Sequence, residues 1–249
     1  MPEGIFSLLI ILGAFILLQR RLHWEIQAVF LLLTRRQDIA IVLFSLLFLP
    51  GVFIHEVSHY LMARLLGVRT GRLSIVPRPT EDGRLQLGYL ETSRADFVRD
   101  ALIGAAPLLF GGAIIGLIAL HPLGVPDLWN GFTSGSLEAV TKGLAFILSK
   151  ADFWIWFYLA FAISSTMMPS RSDRRGWLPV SLVLATVLVV GISIGAGPWF
   201  FQQASDTMGR FISGITFILG TGLAVHLILL IPLILLRSLI SRATGFKIG

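Results

Sequence analysis

Five consecutive residues, His55-Glu56-Val57-Ser58-His59, concentrate the chemistry open to this chain. On a helix, residues four apart differ by about 400°, so the two imidazoles stack on one face a turn apart. That separation suits two nitrogen ligands to one zinc ion. Glu56 projects about 100° away, beside such a metal without being forced to bind it, where it can take a proton from water. This is a donor pattern for metal-assisted peptide hydrolysis. It lies inside an apolar run, residues 39–68, IAIVLFSLLFLPGVFIHEVSHYLMARLLGV. Each ionisable group placed in lipid costs roughly 3 kcal/mol on insertion scales, and a purely structural helix would gain nothing to offset that. The bland alternative is three polar residues hydrogen-bonded at a membrane interface.

A catalytic zinc takes three protein ligands and leaves one position open for water. The chain has no Cys, so the third ligand must be His, Asp or Glu. One candidate is Asp173, in SSTMMPSRSDRRGW just after an apolar segment. Its neighbours Arg171, Arg174 and Arg175 offer the alternative of an ordinary loop ion pair. His226, within the last apolar segment, is the strongest rival, with hydrogen-bonded packing as its own alternative; His23 and His121 are the remaining histidines. Glu81, Glu91 and Glu138 lie in polar stretches and are weaker. Ser164, Ser165 and Thr166 lack a free base that would make a nucleophile of them.

The elements that position these residues must be membrane helices. Hydrophobic residues make up 55% of 249, charged residues only 14%, and mean hydropathy is +0.83. A soluble domain carries about 25% charged residues, and a disordered chain is more polar still. The net charge of +6 reads as the Lys and Arg of membrane-flanking loops, not as a nucleic-acid footprint: aromatic and basic residues are not interleaved as single-strand binding requires. Composition predicts an all-α polytopic membrane protein of about six transmembrane helices, forming a single domain, residues 1–249, with its core at 39–176, in the cell membrane.

Expected spans are residues 4–19, 39–68, 101–120, 152–168, 178–200 and 211–236. Residues 22–34, with His23 and Glu25, read as a short interfacial segment. Pro50 and Gly51 should kink or break the second span, and Gly112 and Gly116 should let the third approach a neighbour closely. Residues 121–150 read as a loop followed by a surface helix, SLEAVTKGLAFILSK. The polar stretch 69–100 holds a strand-like alternation of Leu85, Leu87 and Tyr89, with a turn at 81–83 and LSIV, residues 73–76, as hairpin partner. Its segment 84–91 is placed to offer a strand edge to an unwound substrate. With six spans and a cytoplasmic N-terminus, the inner loops hold 12 Lys and Arg and the outer loops 7, which favours both termini inside.

HEVSHYLMARLLGV resembles the metal helix of the site-2 protease family of intramembrane zinc metalloproteases, HExGHxxxAxxxG. His55, Glu56, His59, Ala63 and Gly67 match, and Ser58 stands in place of the usual Gly. Gly104-Ala105-Ala106-Pro107 resembles the family's small-residue-then-Pro feature. Asp173 corresponds to the family's third ligand, although Ser165 stands where Asn is usual, Pro169 is shifted and Arg174 follows the Asp in place of Gly. The resemblance spans roughly residues 50–175. It implies a zinc metallopeptidase with metal ligands His55, His59 and Asp173 and catalytic Glu56. The substrate would be a membrane-anchored protein cut in or beside its transmembrane segment. Two other functions stay open: a membrane zinc protease with a different third ligand acting on soluble peptides, and a non-catalytic metal-binding membrane protein.

Overall fold

The computed structural model describes residues 2–79, 85–93, 95–195 and 197–246. The protein is all-α and polytopic. Four helices are long and apolar enough to cross a bilayer: α1 (Pro2–Thr34), α2 (Gln37–Leu65), α3 (Phe97–Leu120) and α8 (Gly197–Thr244). The short helices α4 (Val125–Thr133) and α5 (Leu137–Leu148) precede α6 (Phe153–Thr166), and α5 with α6 makes a fifth candidate span bent by 94°. A helix does form within SLEAVTKGLAFILSK, as α5, capped by the Ser136 hydroxyl on the Ala139 amide, but it joins α6 in a candidate span where a surface helix is expected, and α4 falls where a loop is expected. α7 (Trp177–Ser193) is apolar, 17 residues long, and buries none of them.

The first helix corrects one expectation. Residues 22–34 are not a separate interfacial segment; they continue α1 without a break. Leu22, Ile26, Val29 and Leu32 are all buried, a stripe at helical spacing that gains by staying in register with the preceding turns. Glu25 marked an interface in the sequence because its partners are invisible there. It is fully buried between Arg21 on its own helix and Arg237 on α8, each at 2.6 Å. Pro50 does not break α2 either, which runs unbroken through Gly51 to Leu65.

α1 and α8 run parallel. Gly4 faces Ile212, Phe15 meets His226 at 5.1 Å between ring centroids, and Glu25 meets Arg237. α2 and α6 also run parallel, joined by Tyr158 to the Leu47 carbonyl at 2.9 Å and by His55 to the Thr166 carbonyl at 2.7 Å. This alternation fits five crossings, by α1, α2, α3, the bent α5–α6 pair and α8, with α7 not crossing. A scheme with both termini on one side needs α1 and α8 antiparallel. With α8 turned over, Arg210 moves to the β-hairpin side and Arg237 and Arg242 to the other, while Arg20 and Arg21 lie within α1 and not in a loop, so the expected count of 12 against 7 no longer holds.

The core is a file of rings and branched side chains around α6. Phe44 packs on Phe48, Phe48 on Phe161 and Phe161 on His226, at 4.7, 5.3 and 5.7 Å. Between α2 and α3 the chain forms the expected small β element. β1 (Thr70–Ser74) pairs antiparallel with β4 (Tyr89–Thr92), and β2 (Arg78–Pro79) with β3 (Leu85–Gln86). Leu73 and Ser74 of the expected partner segment are paired, opposite Leu90 and Tyr89. Leu87 and Gly88 fall between the two ladders. The turn at 81–83, and the Glu81 candidate with it, lies outside the described residues.

Candidate metal centre

α2 ends at Leu65, six residues after His59. Gly67 adopts φ 69°, the Val68 amide donates to Ala63 O at 2.8 Å and the Gly67 amide to Arg64 O at 3.1 Å. This is a Schellman stop, which requires a left-handed residue and so favours glycine. It explains Gly67 physically, as the contact of fully buried Ala63 with Val68 and Ile103 explains Ala63.

His55 and His59 sit one turn apart on α2, and their outer nitrogens are fixed from two different helices. His55 Nδ1 lies 2.7 Å from Thr166 O and His59 Nδ1 lies 2.8 Å from Ile103 O. Both carbonyls are free for chain reasons. Thr166 closes α6, where the last carbonyls have no intrahelical donor. Ile103 lies four residues before Pro107, which has no amide hydrogen to give back to it. A carbonyl can only accept, so each Nδ1 carries the hydrogen and each Nε2 presents a bare lone pair.

Those two Nε2 atoms lie 3.1 Å apart. Asp173 closes the triangle, with Oδ2 at 3.7 Å from His55 Nε2 and Oδ1 at 3.5 Å from His59 Nε2. Ligand atoms roughly 2.0–2.1 Å from a tetrahedral ion lie roughly 3.3–3.4 Å from one another; the three separations bracket that value. Lone pairs and a carboxylate converging this closely repel unless a cation sits among them. The group therefore fits a metal ion, and it is the metal-capable cluster found among the described residues.

The loop after α6 presents Asp173 already ionised. The Ser170 amide donates to its Oδ2 at 2.7 Å, and the Asp173 amide donates to Ser170 Oγ at 3.3 Å. Partial burial pushes this carboxyl up, and the hydrogen bonds from Ser170 pull it down.

Close approach at four glycines assembles these pieces. A Cβ on Gly51 would collide with the Ala162 carbonyl of α6, one on Gly104 with the Asp173 carbonyl, and one on Gly176 with the α3 backbone at Ala101. On Gly88 it would fall 2.8 Å from Glu56 Oε1. Glu56, 6% exposed, thus lies under the hairpin at the junction of two cavities. One, of about 380 Å³, reaches His59, Asp173, Tyr89, Asp100 and Arg175. The other, of about 710 Å³, runs between α1 and α2. Both touch His55, Glu56, Gln86 and Gly88.

The other candidates lie elsewhere. His226 is fully buried, with Nδ1 on Gly222 O at 2.7 Å and Nε2 on Ser165 Oγ at 3.0 Å. His23 packs on Phe44 and Phe48, and His121 closes the far end of α3. Glu91 accepts from the Arg72 amide and Glu138 pairs with Lys142. The orienting carbonyls of Ile103 and Thr166 went unread in the sequence. The usable signal for the first was Pro107, four residues after Ile103 within α3.

Comparison with known proteins gives no family model, no curated relative and no solved structure that matches this chain.

Proposed function

We propose that the protein is an intramembrane zinc metalloendopeptidase of the cell membrane, cleaving a membrane-anchored protein in or beside its transmembrane segment. The observation that carries this reading is the convergence of His55 Nε2, His59 Nε2 and the two oxygens of the Asp173 carboxylate, with both Nδ1 atoms tied to carbonyls and Glu56 beside it. When bound, zinc supplies a Lewis acid that polarises a carbonyl and acidifies water. His55, His59 and Asp173 would hold it. Glu56 takes the proton from the attacking water and delivers it to the leaving amine. Leu87 and Gly88, outside both ladders and against Glu56, offer backbone to an unwound substrate.

The test is metal content and cleavage measured together on purified protein. Wild type should carry about one zinc per chain, and Asp173→Ala should lose it, since two histidines leave an incomplete shell. Glu56→Gln should keep the metal while activity falls by about 10²–10⁴-fold. Full metal in Asp173→Ala favours a different third ligand. Full activity in Glu56→Gln removes Glu56 as the base. Leu87→Pro, which withdraws a backbone donor, should cut cleavage with zinc unchanged, and Leu87→Val should not; equal activity in both sets the hairpin aside as a substrate platform.

A further inference from the structure

The larger cavity does not belong to the metal group alone. It follows one stripe of α2 from Gln37 through Ala40, Phe44 and Val52 to His55 and Glu56. Nineteen residues of helix rise make that about 28 Å, close to the roughly 30 Å of a bilayer's hydrocarbon core. The cavity's lining is mixed, with Leu31, Ile41 and Phe44 beside His23, Gln27 and Gln37, and at about 710 Å³ it has room for about two dozen waters at ~30 Å³ each.

The wall contributed by α1 is polar where lipid would demand otherwise. Gln19, His23 and Gln27 recur every four residues and so share one face of α1, apart from the Arg21–Glu25 pair. Gln19 donates to the Ser165 carbonyl at 2.5 Å. His23 and Gln27 line the cavity, and His23 Nε2 is buried with no hydrogen-bond partner among the described residues. Polar side chains at this depth are costly in lipid and cheap beside water. Gln27 and Gln37, both exposed, stand at the end next to the α1–α2 turn. At the other end, Gly88 packs on Glu56, and both cavities touch this pair.

From this we infer that the α1–α2 groove is an aqueous path, open on the membrane face that carries the α1–α2 turn and closed at Glu56. Water reaches the metal group by this path from the face opposite the β hairpin. Glu56 and Gly88 form the partition between two vestibules, so the site is wetted from both faces without a continuous pore. The path is a property of helix packing and does not depend on peptidase activity.

The chain has no cysteine, so single cysteines report their surroundings cleanly. In oriented vesicles, a charged, membrane-impermeant methanethiosulfonate is added on the face of the α1–α2 turn. Cysteines replacing Ala40, Phe44 and Val52 line the groove, and those replacing Val42, Leu46 and Leu49 are exposed on α2 outside it. The groove positions should react faster by an order of magnitude or more. Combining His23→Leu with Gln27→Leu should slow Val52→Cys while leaving Ala40→Cys, at the mouth, fast. Ile41→Cys serves as a second mouth position should Ala40→Cys misfold. Groove positions as unreactive as the control positions would mean that lipid or side chains fill the groove, and would overturn the inference. Reaction only from the hairpin face would overturn it as well. Because no cleavage is measured, failure here is separate from failure of the peptidase reading.

Discussion

Pro107 and His59 lie on different helices, yet the proline decides what the histidine can do. Without an amide hydrogen at Pro107, the Ile103 carbonyl is released from α3 and accepts from His59 Nδ1 at 2.8 Å. Pro107→Ala would return a helical donor to that carbonyl. The competing bond should loosen the imidazole and weaken metal binding by roughly 10–100-fold, the usual effect of losing an outer partner of a ligand histidine. Chelator competition on the two proteins reads this directly, and unchanged affinity would mean that the carbonyl shares both donors without cost. The histidines and Glu56 were legible in the sequence because their spacing is a local property of one helix. Asp173 was legible only in part: its charge and place after an apolar segment were visible, but not the Ser170 contacts that turn it inward. Nor did residue type alone separate it from His226, whose two ring nitrogens are satisfied by Gly222 and Ser165.

At the scale of elements, the centre is a junction of α2, α3, the end of α6 and the loop before α7, and glycine sets how closely they meet. Gly104 lies next to Ile103 in sequence and against the Asp173 carbonyl in space. Gly104→Ala should therefore push the Asp173 loop away from the two histidines while the helices remain formed. The expected result is unchanged helical circular dichroism with zinc per chain well below wild type. Retained stoichiometric zinc would show that the loop yields without moving its carboxylate. The long apolar segments were readable because composition over about 20 residues is a strong signal. The interruption of the hairpin at Leu87–Gly88 was not, because alternation continues through it and only the packing of Gly88 on Glu56 marks it. The continuity of α1 was also hidden. Its Glu25 is neutralised by an arginine 212 residues away, and no local pattern announces such a pair.

For the whole molecule, the direction of α8 decides how the chain is threaded. Three contacts rise in step along α1 and α8, from Gly4 with Ile212 to Glu25 with Arg237, and they hold only if the two helices run parallel. Parallel end spans require an odd number of crossings, which leaves α7 as the apolar helix that does not cross. Its 17 residues stand at the lower limit of what a span needs, and none is buried. A charge count that treats α7 as a span places both termini on the hairpin side; the packing places the end of α8 on the opposite face. Cysteines at Ser74, in the hairpin, and at Thr244, closing α8, separate the two arrangements in a chain that has no others. An impermeant maleimide should label Ser74→Cys and Thr244→Cys from opposite faces of the membrane. Labelling of both from one face would require α8 to be antiparallel to α1. That would break the Glu25–Arg237 pair, leave a fully buried carboxylate with Arg21 alone, and cost several kcal/mol, as removing one partner of a buried ion pair does. The same labelling pair therefore tests whether Glu25 is held from two helices or one.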